Sequence, residues 1–316
     1  MTENNTWRQC ISPASFWRPD YSVDSAWLAH GPFAFWLVEA ARPRLLVELG
    51  THRGFSYAAF CQAIARLNYD TKAFAVDTWR GDEHAGFYGD EIFGGLSAYH
   101  DRHYSGFSSL LRMTFDEAVG YFEDGSIDLL HIDGRHRYED VKHDFEQWSR
   151  KLSDRAIVLF HDTNVREREF GVFRFWSELA KRHPHFEFPH GHGLGVLAPG
   201  SSIPEGMRAL FECGPQPDQA TSIRQAYANL GNVVRDDWIA RTELTAARAE
   251  LDSCRRQIEE LGAEIATATQ ISDGLESTTG RLRDQLAALS DAESRAKTLA
   301  ETARTQGNEI ARLHNE

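Results

Sequence analysis

Asp133 and Asp162 each follow a short apolar run, IDLLHI before the first and AIVLFH before the second. Carboxylates delivered from two such ends can converge on a hard divalent cation that keeps some of its waters, with His161, Thr163 or Asn164 as a third ligand. An imidazole at position 161 would pull the preference toward Mn or Fe rather than Mg. His136 stands three residues past Asp133. A neutral imidazole there suits taking a proton from a cation-bound hydroxyl at neutral pH. The plainer readings are that each Asp caps a turn or helix and that His136 packs on Tyr138 at the surface. Both acids standing at run ends favours the site.

A second constellation lies earlier in the chain. The run RLLVEL leads into Gly50-Thr51-His52-Arg53-Gly54-Phe55-Ser56. Two glycines four apart, after a strand and before a helix, let the backbone turn sharply and approach a ligand closely. The spacing is neither the GxGxxG of nicotinamide enzymes nor the GxxxxGK[ST] of a P-loop. Glu48 precedes the loop, and Asp77 closes the next apolar run, AFAVD, where an acid can accept hydrogen bonds from ribose hydroxyls. Acids around such a loop suit a cationic ligand, such as a sulfonium amino acid, better than a phosphate. A capping Glu48 and a turn at Asp77 are the plainer alternatives.

These residues can meet only if their runs are neighbouring strands whose carboxyl ends line one crevice. The pattern predicts this arrangement. Strands are expected at 44–49, 73–77, 107–113, 127–133, 156–161, 186–188 and 194–197, with helices at 25–41, 55–67, 115–122, 138–151 and 173–182. Alternation of this kind means βαβ units and a mostly parallel sheet with helices on both faces. Residues 81–105, rich in Gly, Tyr, His and Phe, read as an excursion over the sheet edge.

Composition divides the chain near residue 236. Seven of the eight Trp precede residue 180, and beyond Trp238 there is no Trp, Phe, Tyr or Pro. Such a segment cannot build a globular core, but it can build a long helix that buries a narrow seam. Leu244, Ala247, Leu251, Cys254, Ile258, Leu261, Ile265 and Ala268 alternate spacings of three and four, a heptad seam. The register shifts near 269–279, and a weaker seam resumes through Leu282, Leu286, Leu289, Ala296, Ala303 and Ile310. A continuous helix over 236–316 would span about 120 Å. GPQPDQ at 214–219 signals a loop, so the expected division is a domain over 1–213, a linker over 214–235 and a coiled coil over 236–316.

The net charge of -13 argues against nucleic acid as the main partner. Cys10, Cys61, Cys213 and Cys254 form no CxxC and suit reduced thiols in a reducing compartment. No apolar run approaches the roughly 20 residues of a membrane span, and the N-terminus lacks the apolar core of a signal peptide. The expectation is a soluble, cytoplasmic protein, peripheral to the inner membrane only through partners. Its stop in mid-heptad at HNE suggests a fragment of something longer.

The runs VELGTHRGFS, AFAVD, DLLHIDGRHRYEDV and VLFHDTNV together resemble class I S-adenosylmethionine methyltransferases. More narrowly, they resemble the metal-dependent O-methyltransferase group that includes catechol O-methyltransferase, macrolide-sugar O-methyltransferases and the proteins named cephalosporin hydroxylase. The resemblance covers about residues 25–200, and its IDGxHxYE and HDT elements are the more specific part. It implies an α/β, Rossmann-like methyltransferase sheet followed here by a long α-helical coiled coil. It implies S-adenosyl-L-methionine as cofactor, with Glu48, Gly50, Thr51, Gly54, Ser56, Asp77 and Thr114 as its candidate binding residues. It implies a divalent metal, Mg or Mn, at Asp133 and Asp162 with His161 as a candidate ligand, and Asp133 and His136 as catalytic residues, His136 standing where catechol O-methyltransferase has a lysine base. The sequence departs from the group at Thr163, often Asn in the catechol enzymes, and at His161, often acidic in the hydroxylase-named proteins.

The implied reaction is in-line attack of a substrate oxygen on the sulfonium methyl. A metal gripping two oxygens suits a vicinal diol. The aromatic and His-rich stretch 81–103 favours a sugar over a catechol. By analogy, domains of this look joined to long helical arms resemble parts of bacterial cell-surface polysaccharide (O-antigen) assembly proteins, where a methyl cap ends the chain. The expected partners are a saccharide or other hydroxyl acceptor, further copies of the chain through the coil, and glycosyltransferase components. The alternatives are an O-methyltransferase for a phenol or antibiotic, and a non-catalytic scaffold whose coil organises partners.

Overall fold

A computed structural model describes residues 5–82, 86–167 and 169–313. Part of the expected edge excursion, 83–85, and the last residues, 314–316, lie outside the described residues. The chain divides into two units, 1–241 and 242–316.

The first unit is built on a seven-stranded sheet. In chain order its elements are α1 (Gly31–Ala41), β1 (Leu45–Leu49), α2 (Phe55–Leu67), β2 (Lys72–Asp77), the short ribbon β3 (Gly81–Asp82) and β4 (Gly86–Phe87), α3 (Asp90–His103) and β5 (Ser108–Arg112). There follow α4 (Phe115–Ala118), β6 (Ile127–Ile132), α5 (Tyr138–Trp148), β7 (Leu152–His161), α6 (Val172–Ala180), β8 (His185–Phe188), β9 (Leu194–Leu197), α7 (Arg208–Cys213) and α8 (Pro217–Leu313). The main sheet runs β5-β2-β1-β6-β7-β9-β8. β1, β2, β5, β6 and β7 are mutually parallel, while β9 is antiparallel to both β7 and β8. This is the Rossmann-like α/β arrangement expected.

All six residues of β6 are buried. A parallel strand covered on both faces reads as a continuous apolar run rather than an alternation. The two faces carry separate cores. One packs Trp27, Phe33, Trp36 and Phe60 with Ile223 and Tyr227. The other packs Val47, Phe122, Trp148, Phe160 and Trp176.

Three elements differ from expectation. The helix expected over 25–41 is a 3-10 turn at Ala26–His30 followed by α1, which begins at Gly31-Pro32. Proline fits the first helical turn, where its missing N–H has no partner to lose. The edge excursion holds a regular helix, α3, whose buried positions are Ile92, Leu96 and His100. That single stripe at four-residue spacing is too thin to stand out among glycines and charges. The linker expected over 214–235 is helical from Pro217 onward, as the first turns of α8. Ala220, Ile223 and Tyr227 are buried there, and Tyr227 Oη donates to the Cys10 carbonyl at 2.6 Å. The loop signal GPQPDQ marks a helix start, with proline again at the first position.

In the second unit, residues 242–313 continue α8 as a helix. Leu251, Ile258, Leu261 and Ile265 are 52–69% exposed along it.

Candidate active site

The strand order runs outward in both directions from β1 and β6, so their carboxyl ends form the crevice where an open α/β sheet holds ligands. The loops after these strands touch backbone to backbone. Gly50 has φ +88°, and a Cβ there would lie 2.0 Å from the Asp133 carbonyl oxygen. Only glycine satisfies both demands. Gly54 (φ +84°) begins α2, and a Cβ on it would meet Leu96 of α3 at 2.4 Å.

Asp77 pins this loop. Its Oδ2 accepts from the backbone N–H groups of Thr51 and His52, each at 2.9 Å, and its Oδ1 from Trp79 N–H at 2.7 Å. Thr114 caps α4 in a reciprocal capping box with Glu117. Both Asp77 and Thr114 line a cavity of about 370 Å³ together with Gly50, Asp133, His136 and Asp144. That volume suits a small organic ligand. Ser56 and Thr51 are buried beside the loop rather than on the cavity wall, as is Gly54.

Glu48 is placed differently from its expected role. It is fully buried behind the loop, and its Oε2 lies 2.8 Å from His131 Nδ1. The register of β1 against β6 sets the two residues side by side. Glu48 Oε1, His131 Nε2 and Thr51 Oγ1 have no hydrogen-bond partner in the structure.

Asp133 and His136 on the cavity wall and the neighbouring Asp162 bring one ligand atom each within 4.8 Å of one another. His136 Nε2 lies 2.9 Å from Asp162 Oδ2 and 3.7 Å from Asp133 Oδ1. Its ring stacks on Phe170 at 4.5 Å, not on Tyr138. His161 Nδ1 faces both carboxylates, at 3.3 Å from Asp133 and 3.4 Å from Asp162. Asn164 turns away, since its Nδ2 donates to the Pro189 carbonyl. Thr163 Oγ1 is buried without a partner. Sequence reasoning missed His192, whose Nδ1 lies 3.4 Å from Asp162 Oδ1. The signal was PHGHG at 189–193, two histidines about a glycine just before β9.

Burial alone would lower the pKa of His136. Its hydrogen bonds to Asp133 and Asp162 outweigh that and push it up to about 9. His161 is likewise opposed by burial and raised well above the usual range by the charges of the same two carboxylates. Asp133 and Asp162 are held below the ordinary carboxylate range, the imidazolium of His161 and the His136 hydrogen bond overcoming their burial. Two carboxylates therefore sit balanced by two imidazolium groups. A divalent cation supplies the same charge while releasing protons. Ligands about 2.1 Å from an ion stand about 3.0–3.4 Å apart, which the contacts around Asp162 match. The donor set fits a divalent cation.

A profile of the family described as "Methyltransferase domain" matches residues 47–163. The match runs from β1 through β7 and takes in the glycine loop, Asp77, Asp133, His136 and Asp162.

Residues 47–163 are a methyltransferase domain.

The chain is also 60% identical over 235 residues to an uncharacterized protein, y4gI, of Sinorhizobium fredii, covering 73% of this chain and 26% of the relative. It thus spans about a quarter of the length of the curated relative it matches. Among solved structures it is similar to a methyltransferase from Geobacter sulfurreducens (21% identity, 57% of this chain and 81% of that one, TM-score 0.41). It is also similar to the O-methyltransferase TomG of Streptomyces achromogenes in complex with SAM (12% identity, 63% and 90%, TM-score 0.42).

Proposed function

We propose that the methyltransferase domain moves the methyl group of S-adenosylmethionine to a hydroxyl of a saccharide, with a divalent cation at Asp133 and Asp162. One observation carries this reading. A single cavity is lined by Gly50, His52 and Asp77 of the glycine-loop region together with Asp133 and His136. A methyl donor and an oxygen held by the acidic corner would then stand in one space.

The domain's part is mainly positioning. Holding donor and acceptor in line accounts for ~7–11 kcal/mol of barrier in well-oriented reactions. The oxygen–carbon bond forms as the carbon–sulfur bond breaks, and sulfur leaves as the neutral thioether of S-adenosylhomocysteine. A cation held by Asp133, Asp162 and His161 would make the hydroxyl more acidic and orient it. His136 Nε2, 2.9 Å from Asp162 and 3.7 Å from Asp133, would stand beside that hydroxyl and be placed to accept its proton.

The saccharide rests on the rings beside this cavity. His52 and Tyr88, which line it, pack at 5.0 Å. Such faces suit stacking on a sugar ring. The long helix supports, by analogy, a role in bacterial cell-surface polysaccharide assembly, with a methyl group capping the chain and glycosyltransferase components as partners. Cys10, Cys61, Cys213 and Cys254 are free, which fits a reducing compartment, and we place the protein in the cytoplasm. No helix among the described residues is long and apolar enough to cross a membrane.

The test is transfer of a labelled methyl group from S-adenosylmethionine to a panel of oligosaccharides and catechol, with and without chelator. Methylation of a saccharide, lost with chelator and restored by Mg or Mn, is expected. His136→Ala should keep cofactor binding yet lose ~10²–10⁴-fold in turnover, the usual worth of a positioned base, with partial recovery at higher pH. Catechol as the preferred acceptor would move the reading to small-molecule chemistry. Full activity in chelator would remove the cation.

A further inference from the structure

We infer that the Pro189–Gly193 loop is a wall of the cation corner and that its His192, with His161, makes the corner selective for a nitrogen-seeking transition ion over Mg. The inference rests on the proposed reading of Asp133 and Asp162 as cation ligands.

Topology brings the loop there. β9 pairs antiparallel with β7, Leu194 opposite His161, so the residues just before β9 lie beside those just after β7. Asn164 N–H donates to the His192 carbonyl at 2.9 Å, and Gly193 N–H to the His190 carbonyl at 2.9 Å. The loop's backbone is left-handed at Gly191 (φ +56°), His192 (φ +68°) and Gly193 (φ +95°). Asp162, which His192 faces, is also left-handed (φ +60°). Two non-glycine residues in this disfavoured region meet across the corner. Neither glycine can be replaced without displacement. A Cβ on Gly191 would lie 2.7 Å from His30 Nε2, and one on Gly193 2.5 Å from Asn164 N.

The loop also orients His161. The Gly191 carbonyl lies 3.1 Å from His161 Nε2 and 3.0 Å from His30 Nε2, and accepts from both rings. A proton held on His161 Nε2 leaves Nδ1 facing the carboxylates, the arrangement that fixes an imidazole as a ligand. His192 stacks nearly parallel to His161, at 6.3 Å and 13°, and offers its Nδ1 to the other oxygen of Asp162. The two imidazole nitrogens thus flank Asp162, His161 Nδ1 at its Oδ2 and His192 Nδ1 at its Oδ1. Mg favours oxygen ligands and its own waters, whereas affinity for nitrogen rises from Mn through Co to Ni.

The experiment is titration calorimetry of the full chain with MgCl2, MnCl2 and CoCl2 alone, repeated on His192→Asn, with the visible absorption of bound Co as a second readout. Asparagine tolerates the left-handed backbone but removes the imidazole. His192 is 62% exposed, so the change should leave S-adenosylhomocysteine affinity intact. We expect wild type to bind Co at least 100-fold more tightly than Mg. His192→Asn should lose 10-fold or more in Co affinity, change the Co spectrum and leave Mg affinity within twofold. Equal Co affinity and spectra in the two proteins, or Mg bound as tightly as Co by wild type, overturns the inference and leaves the cation reading standing. No binding of any of the three ions by wild type overturns the cation reading itself.

Discussion

The unit up to Arg241 and the helix beyond it dispose of their apolar residues in opposite ways. In the first, Trp27, Trp36, Trp79 and Trp148 are at most 2% exposed. In the second, Leu282, Leu286 and Leu289 are 60–70% exposed on a helix that has no apolar neighbour within its own unit. A row of leucines at seam spacing gains nothing from water. The first unit completes its core within one chain, and the second has an apolar seam that only another helix can cover. The difference sets a completed core beside an exposed seam, and self-association through that seam is what the following measurements test.

The largest effect should come from separating them. We expect the full chain to self-associate through the seam, so a chain ending at Arg241 should be a monomer in light scattering where the full chain is an oligomer. It should keep its melting temperature and its binding of S-adenosylhomocysteine. The cut belongs after Arg241 rather than at 235, because Trp238 still packs against the core of the first unit. Leu251→Glu with Ile258→Glu in the full chain should reproduce the monomeric state and reduce helicity, since charges on a seam oppose its burial. Equal numbers of protomers per particle in the cut and full chains would end the self-association reading.

A smaller effect, confined to the first unit, should follow Asp77→Asn. The carboxylate accepts three backbone N–H groups that shape the glycine loop. Hydrogen bonds to a charged acceptor contribute ~1.5–3 kcal/mol each, so loss of the charge should weaken S-adenosylhomocysteine binding by at least ~30-fold in calorimetry. Unchanged affinity would mean that the loop is held by its glycines alone.

The fold and the residues at strand ends were legible because they obey local rules. Buried parallel strands read as apolar runs, and acids after them fall at one edge of the sheet. What stayed hidden depends on pairing between distant strands. Glu48 meets His131 only through the β1–β6 register, and both strands are buried on both faces, so alternation could not assign a side. His192 reaches Asp162 only because β9 turns back antiparallel on β7. The inner turns of α8 were hidden for another reason. Ala220, Ile223 and Tyr227 make a short apolar stripe that continues, without a break, into the exposed seam.

An effect that only a change of pH reveals concerns Asp144, which lines the cavity and is 7% exposed. Burial pushes its carboxyl up to about 7, against the lowering charge of His143 and, more weakly, Arg135, while Asp140 and Asp116 raise it. In the unfolded chain the same group ionises near 3.8. Between those values the folded state holds the proton that the unfolded state has released. Stability attributable to this residue therefore falls as pH rises through the window, and the penalty is complete above about pH 7. Asp144→Asn cannot ionise, so it escapes the penalty. It should melt like wild type near pH 4 and be more stable by about 4 kcal/mol at pH 8, a gap that opens steadily between. Thermal melts of both proteins across that range decide the matter. A gap that is constant with pH would mean that Asp144 is already ionised in the folded protein and draws a counter-charge from Arg135 or His143. An aspartate kept ionised there would leave the cavity more acidic, and a cationic sulfonium more strongly attracted to it, than the burial of its carboxyl implies.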